Sequence, residues 1–136
     1  MEVMEKQKVF DLIRDVLLQD GRVGFAYVYG SFVSEESFRD IDIGIYLKKP
    51  EENPFIITSD IKTRLSLLAR KENLTFTADQ FDVRVINNAP FTFLKRVFKE
   101  GVLLLDLDPD LRTDLVEYVS LKYRECAGIL GEASLG

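Results

Sequence analysis

A chain of 136 residues, 46% of them hydrophobic, can bury one sizeable core and is too short for two comfortable domains, so residues 1–136 are expected to form a single domain. The formal net charge of -5, with no run of Lys or Arg, argues against nucleic acid as a direct ligand. With no histidine and one cysteine, the usual zinc sites, histidine-based triads and an internal disulfide are excluded, which leaves catalysis to carboxylates, hydroxyls, amines or hard metal ions. The opening MEVMEKQKVF lacks the apolar core of a signal peptide, and no later stretch reaches the length of a membrane span, so a soluble, cytoplasmic protein is expected.

In chain order, Val9, Phe10, Ile13, Val16 and Leu17 recur at helical spacing, and Asp20-Gly21 stops the pattern. Val23 to Tyr29 is rich in β-branched and aromatic residues and meets Gly30-Ser31, as a buried strand meets a tight turn. After the polar SEES segment, Ile41, Ile43, Ile45 and Leu47 alternate with Asp40, Asp42, Gly44 and Tyr46, the period of a strand with one apolar face. Lys48 to Pro54 reads as a loop and Phe55 to Arg70 as a long helix. Phe81, Val83 and Val85 against Asp82 and Arg84 predict another strand, broken by Asn87-Asn88-Ala89-Pro90.

Phe91 to Glu100 predicts a short helix ending at Gly101, and Val102 to Leu105 a brief, fully apolar strand. Asp108-Pro109 offers a cap and a proline for a closing helix striped by Leu111, Leu115, Val119, Cys126 and Leu130, and the tail EASLG is expected to fray. Cys126 on that stripe reads as a packed small hydrophobe. There is no internal repeat and no low-complexity linker. The alternation of elements predicts an α/β (α+β) domain, a small mixed β-sheet of about four strands packed with helices.

The stretch YGSFVSEESFRDID at 29–42 carries the chemistry. Residues two apart on a strand share a face with Cα atoms about 6.5 to 7 Å apart, so Asp40 and Asp42 can lean toward common ligands. Oxygen ligation of this kind suits Mg²⁺ completed by substrate phosphates, and two ions about 3.5 to 4 Å apart fit such a set. Asp82 supplies a third acid if its strand neighbours the first, with Asp79 the alternative if the register is shifted. Gly30 lets backbone approach a ligand closely, and Ser31 can begin a helical turn whose free amides attract phosphate. The plainer readings are a turn with Ser31 as helix cap, and a solvated strand face for the aspartates.

Gly30-Ser31, then Asp40-Ile41-Asp42 on an apolar strand, then Phe81-Asp82-Val83 resemble the DNA polymerase β-like nucleotidyltransferases, and among them the minimal nucleotidyltransferase (MNT) proteins. KEGVLLLDLD at 99–108 and the LRTDLVEYVSLKY helix extend the resemblance over most of the chain. The resemblance implies a nucleotidyltransferase-like fold, with Asp40 and Asp42 binding both metal ions, Asp82 completing the metal site and assisting the attacking hydroxyl, and Gly30 and Ser31 holding the triphosphate. It also implies an Mg²⁺-dependent transfer of AMP from ATP to a protein hydroxyl, and a role as antitoxin of a separate HEPN-domain ribonuclease toxin, hence a complex with another chain. The reading that stands second is a binding module on this fold that neutralises its partner by contact. Where relatives carry basic and glycine residues after Gly-Ser, this chain has Phe32, Val33 and Ser34 followed by Glu35 and Glu36, and Arg39, Lys48 and Arg84 are the candidates for the missing positive charge.

Overall fold

The computed structural model describes residues 3–51, 53–74 and 76–135, with the side chains of 3, 4 and 127–135 left aside. In order, the elements are α1 (Val3–Leu18), β1 (Val23–Tyr29), α2 (Ser31–Ser34), β2 (Ile41–Leu47), α3 (Pro54–Lys71), a 3₁₀ turn (Ala78–Gln80), β3 (Phe81–Val85), α4 (Phe91–Glu100), β4 (Val102–Asp106) and α5 (Pro109–Leu135). The strands form one mixed sheet in the order β3-β2-β1-β4. β1 runs antiparallel to both β2 and β4, whereas β2 and β3 are parallel, as the α3 crossover requires. No helix among the described residues is long and apolar enough to cross a membrane.

The central position of β1 explains its composition. Six of its seven residues are buried, because both faces of the strand are covered. Ala26 and Val28 face α1 and α3, together with Ile41, Ile43, Ile45 and Leu47 of β2 and Phe81 and Val83 of β3. α1 presents Val9, Leu12, Ile13, Val16 and Leu17 to this layer, and α3 presents Ile57, Ile61, Leu65 and Ala69, a row at fourfold spacing. Phe25 and Tyr27 face the other way, onto Leu94 and Val97 of α4 and Val119 of α5. The even positions of β2 and β3, Asp42, Gly44, Asp82 and Arg84, lie on this second face.

Three elements depart from expectation. β4 includes Asp106 and exposes Val102 and Leu103, because it is the sheet edge beyond β1 and only Leu104 and Leu105 reach the core. The 3₁₀ turn before β3 rests on a capping box between Thr77 and Gln80, a signal too short for apolar periodicity. α5 continues to Leu135 where a frayed tail was expected; Gly136 and the side chain of Leu130 lie outside the described residues. At its other end Asp108 Oδ1 accepts the Leu111 amide at 3.2 Å, the cap that Asp108-Pro109 predicts.

Candidate active site

The buried strand β1 delivers its chain to the site through Tyr29 and then reverses at Gly30, whose φ of 78° and ψ of -158° belong to a region that only glycine adopts without strain. Gly30, not Ser31, is the cap of α2; Ser31 opens the helix and no side chain caps it. The Gly30 carbonyl accepts the amides of Val33 and Ser34 at 3.1 and 3.3 Å. Phe32 pins this turn to the fold: it is fully buried, its ring 5.3 Å from that of Phe10 on α1 and 4.8 Å from Phe38. Lys6 donates to the carbonyls of Phe32 and Glu35 and stacks its ammonium over the Phe32 ring, so α1 holds both ends of the turn.

Asp42 stands opposite Tyr29 on β1 and opposite Asp82 on β3. Its carboxylate fills the space a side chain on Gly30 would need, since a Cβ built there collides with Asp42 Oδ2. Turn and acid are thus in direct contact. Burial pushes the Asp42 carboxyl above the ordinary aspartate value, and the neighbouring Asp82 and Asp40 push the same way while Arg84 opposes them. Asp82 is engaged by Arg84, whose Nη2 and Nε lie 3.2 and 3.3 Å from Oδ2. Asp40 is exposed just before β2 begins, and Asp79 is exposed in the 3₁₀ turn, out of register with Asp42.

Among the described residues no three acidic side chains close into a group able to hold an ion. Asp42 and Asp82 are adjacent, and Asp40 precedes Asp42 by two residues, just outside β2. The fit to a hard divalent cation is nonetheless good in chemistry: all donors are carboxylate oxygens, and the acidic neighbours that add to burial in raising the Asp42 carboxyl are a repulsion that a cation would relieve.

Sequence reasoning passed over Tyr29. Its hydroxyl is buried without a hydrogen-bond partner, and burial lifts it to about 12, with Asp42 and Asp82 adding to the shift and Arg84 opposing it. The signal was an aromatic residue closing a buried strand directly before the glycine turn. Arg96 of α4 lines a small cavity of about 90 Å³ with Tyr29, Gly30 and Phe93. Of the three candidate cations, Arg84 is at the acids, Arg39 is exposed beside Asp40, and Lys48 lies at the opposite end of the sheet, its amide bonded to the Arg22 carbonyl.

A glycine turn in contact with an acid on the next strand, on a mixed sheet with helices on both faces, is consistent with a nucleotidyltransferase fold. Residues 11–110 match the family model described as Polymerase beta, Nucleotidyltransferase, and the chain belongs to that family. Among solved structures it is similar to the tri-AMPylated Shewanella oneidensis HEPN toxin in complex with MNT antitoxin, at 16% identity over 100% of both chains with a TM-score of 0.57. It is also similar to the toxin-antitoxin MntA-HepT, at 14% identity over 99% of this chain and 100% of that one with a TM-score of 0.57. A toxin-antitoxin complex with AMP-PNP matches at 18% identity over 96% and 98% with a TM-score of 0.55. These identities speak for a shared fold. No curated protein sequence matches the chain significantly.

Proposed function

We propose that this protein transfers AMP from ATP, in the presence of Mg²⁺, to a hydroxyl of a separate HEPN-domain protein, and so acts as the antitoxin of that partner. The observation that carries the proposal is the parallel register of β2 and β3, which sets Asp42 beside Asp82 directly against the Gly30 turn. Family membership supports the reaction class. The partner is supported by structural neighbours described as an MNT antitoxin with an AMPylated HEPN toxin and as a complex with AMP-PNP.

In this reading Gly30 and Ser31 lie along the triphosphate, where backbone without a side chain permits close approach. Bound Mg²⁺, as two ions held by Asp40, Asp42 and Asp82, would neutralise phosphate charge and favour the attacking oxygen. The acceptor hydroxyl gives its proton to Asp82 as its oxygen bonds to the α-phosphorus, and the bond from that phosphorus to pyrophosphate breaks. Holding acceptor and phosphorus in line is the larger part of the task, since little covalent chemistry falls to the protein.

Calorimetric titration with ATP, with and without Mg²⁺, tests the site on wild type and Asp42→Asn. Metal-dependent binding that disappears in a folded Asp42→Asn protein is expected, together with AMP transfer to the partner that is lost in the same variant. ATP binding indifferent to both metal and Asp42 would overturn the proposal. A second reading, neutralisation by contact alone, is favoured by Glu35 and Glu36, which stand exposed after the turn where a triphosphate meets like charge. It predicts that Asp42→Asn neutralises the partner as well as wild type does.

A further inference from the structure

Arg84 follows Asp82 by two positions on β3, so both side chains lie on the same face of the sheet. In register it stands opposite Gly44. That glycine leaves the space taken by the Tyr29 ring: a Cβ on Gly44 would come within 3.4 Å of Tyr29 Cε1 and 3.1 Å of Ile86 Cγ2. At the Gly44 position β2 thus puts no side chain between Arg84 and Tyr29, whose hydroxyl is buried and unpartnered. The guanidinium donates one hydrogen bond, from Nε to Asp82 Oδ2, and its Nη2 faces the same oxygen, so the pair is not the two-pronged arrangement with one bond to each oxygen, which is the stronger one. Its side chain is 59% exposed, which gives it room to turn.

Among the described residues the other cations near this turn are Arg96, which lines the small cavity beside Gly30, and Arg39, exposed beside Asp40. The residues after Gly30-Ser31 are apolar and then acidic. Lys6 is committed to the carbonyls of Phe32 and Glu35, and Lys48 is at the far end of the sheet. We propose that Arg84 is a nucleotide-positioning residue: it neutralises Asp82 while the acids hold no cation, leaves that carboxylate when a divalent cation takes it, and then binds the phosphates of the nucleotide. The exchange creates no uncompensated charge at any stage, because the cation replaces the guanidinium on Asp82 and phosphate replaces Asp82 on the guanidinium. This inference rests on the nucleotide site proposed above.

The test separates the two affinities. Mn²⁺ alone, followed by electron paramagnetic resonance, and AMP-PNP at saturating Mg²⁺, followed by calorimetry, are titrated into wild type, Arg84→Gln, Arg84→Lys, Arg96→Gln and Asp42→Asn. Arg84→Gln should bind Mn²⁺ about three- to tenfold more tightly, since no resident cation has to leave an only partly buried carboxylate. The same variant should bind AMP-PNP about tenfold more weakly, because glutamine cannot replace a charge-assisted hydrogen bond to phosphate, and Arg84→Lys should recover part of both effects. A merely structural arginine would not move the two affinities in opposite directions. Unchanged or weaker Mn²⁺ binding in Arg84→Gln overturns the inference, as does loss of AMP-PNP affinity in Arg96→Gln but not in Arg84→Gln. If wild type and Asp42→Asn alike bind neither probe, the underlying nucleotide site fails; if wild type binds both and Arg84→Gln matches it, only the role of Arg84 fails.

Discussion

Replacing Gly30 by alanine places one methyl group between the turn and the acid, and its cost can be worked from two separate effects. The backbone there has φ 78° and ψ -158°, and holding a residue with a Cβ in that region costs about 1–3 kcal/mol. The new Cβ also collides with Asp42 Oδ2. Because β2 is paired on both sides, the strand cannot retreat, and Asp42 must rotate off its preferred rotamer at about 0.5–1.5 kcal/mol. The sum is about 1.5–4.5 kcal/mol, which for a domain of this length lowers Tm by about 5–18 °C. Scanning calorimetry measures this against Gly21→Ala, where no atom lies within 4 Å of the added Cβ and no positive φ is required. Below the transition, metal-dependent ATP binding by Gly30→Ala should fall by about a hundredfold, since the carboxylate is displaced by about 1 Å. A Gly30→Ala protein that melts within about 2 °C of wild type would refute both the strain and the collision. One that melts early yet binds ATP normally would refute the link between the turn and the acid.

Asp20 is buried where α1 turns into β1 and accepts Arg22 Nε and Nη2 at 2.8 and 2.6 Å and Arg64 Nη1 at 3.2 Å. The Arg22 hydrogen bonds hold its carboxyl below the ordinary aspartate value. The stability it contributes is therefore fully present above the unfolded value of about 3.9 and is lost as pH falls through the lower folded one. In urea unfolding Asp20→Asn should cost about 2–4 kcal/mol at neutral pH, with the deficit shrinking toward pH 3. Tyr29→Phe removes a buried hydroxyl that has no partner, so thermal unfolding should show a gain of up to about 1 kcal/mol; a loss would mean that the hydroxyl has a partner after all. Asn87 closes the end of β3 onto β2, its Oδ1 accepting the Leu47 amide at 2.8 Å and its Nδ2 donating to the Leu47 carbonyl at 3.0 Å. Asn87→Ala should cost about 1–3 kcal/mol and speed amide exchange in β3 more than in β1, as hydrogen-exchange mass spectrometry would show.

The parts of this fold written in the sequence are those with a clean period. The Ile41, Ile43, Ile45 and Leu47 alternation predicts β2, although Asp40, counted in that alternation, falls just before the strand, and β3 is read directly from Phe81, Val83 and Val85. What the sequence does not display is which strand lies beside which. Asp42 and Asp82 are far apart in the chain, and only the α3 crossover makes their strands parallel neighbours. β4 reads as a brief, fully apolar strand, but apolar content does not distinguish a centre from an edge, and Val102 and Leu103 remain exposed. Of the two readings of Ser31, the helical turn it begins is the one observed, and the cap that its hydroxyl chemistry also suggests falls to Gly30, because the reversal needs a positive φ. Tyr29 escaped for a related reason, and Arg84 stands level with Arg39 and Lys48 as a candidate cation: what sets both apart depends on Gly44, a missing side chain on the strand that separates theirs.

The acids are brought together by residues that take no part in their chemistry. A slip of one position in β3 would turn Asp82 toward α1 and α3 and expose Phe81 and Val83 on the opposite face. Both are buried, at 0% and 5% exposure, and removing that burial would cost about 1.5–3 kcal/mol each. Asn87 fixes the far end of the same strand pair. Against these forces stands the register itself, since like charges directly opposite on neighbouring strands repel by a few tenths to about 1 kcal/mol. Apolar packing on one face therefore imposes an electrostatic cost on the other. Arg84 offsets part of that cost at Asp82, while the Asp42 carboxyl is raised first by its burial and then by Asp82 and Asp40 beside it. A strand pair chosen by its core side thus leaves on its open side an unrelieved negative charge next to a glycine turn, the condition under which a cation and its phosphates are drawn in.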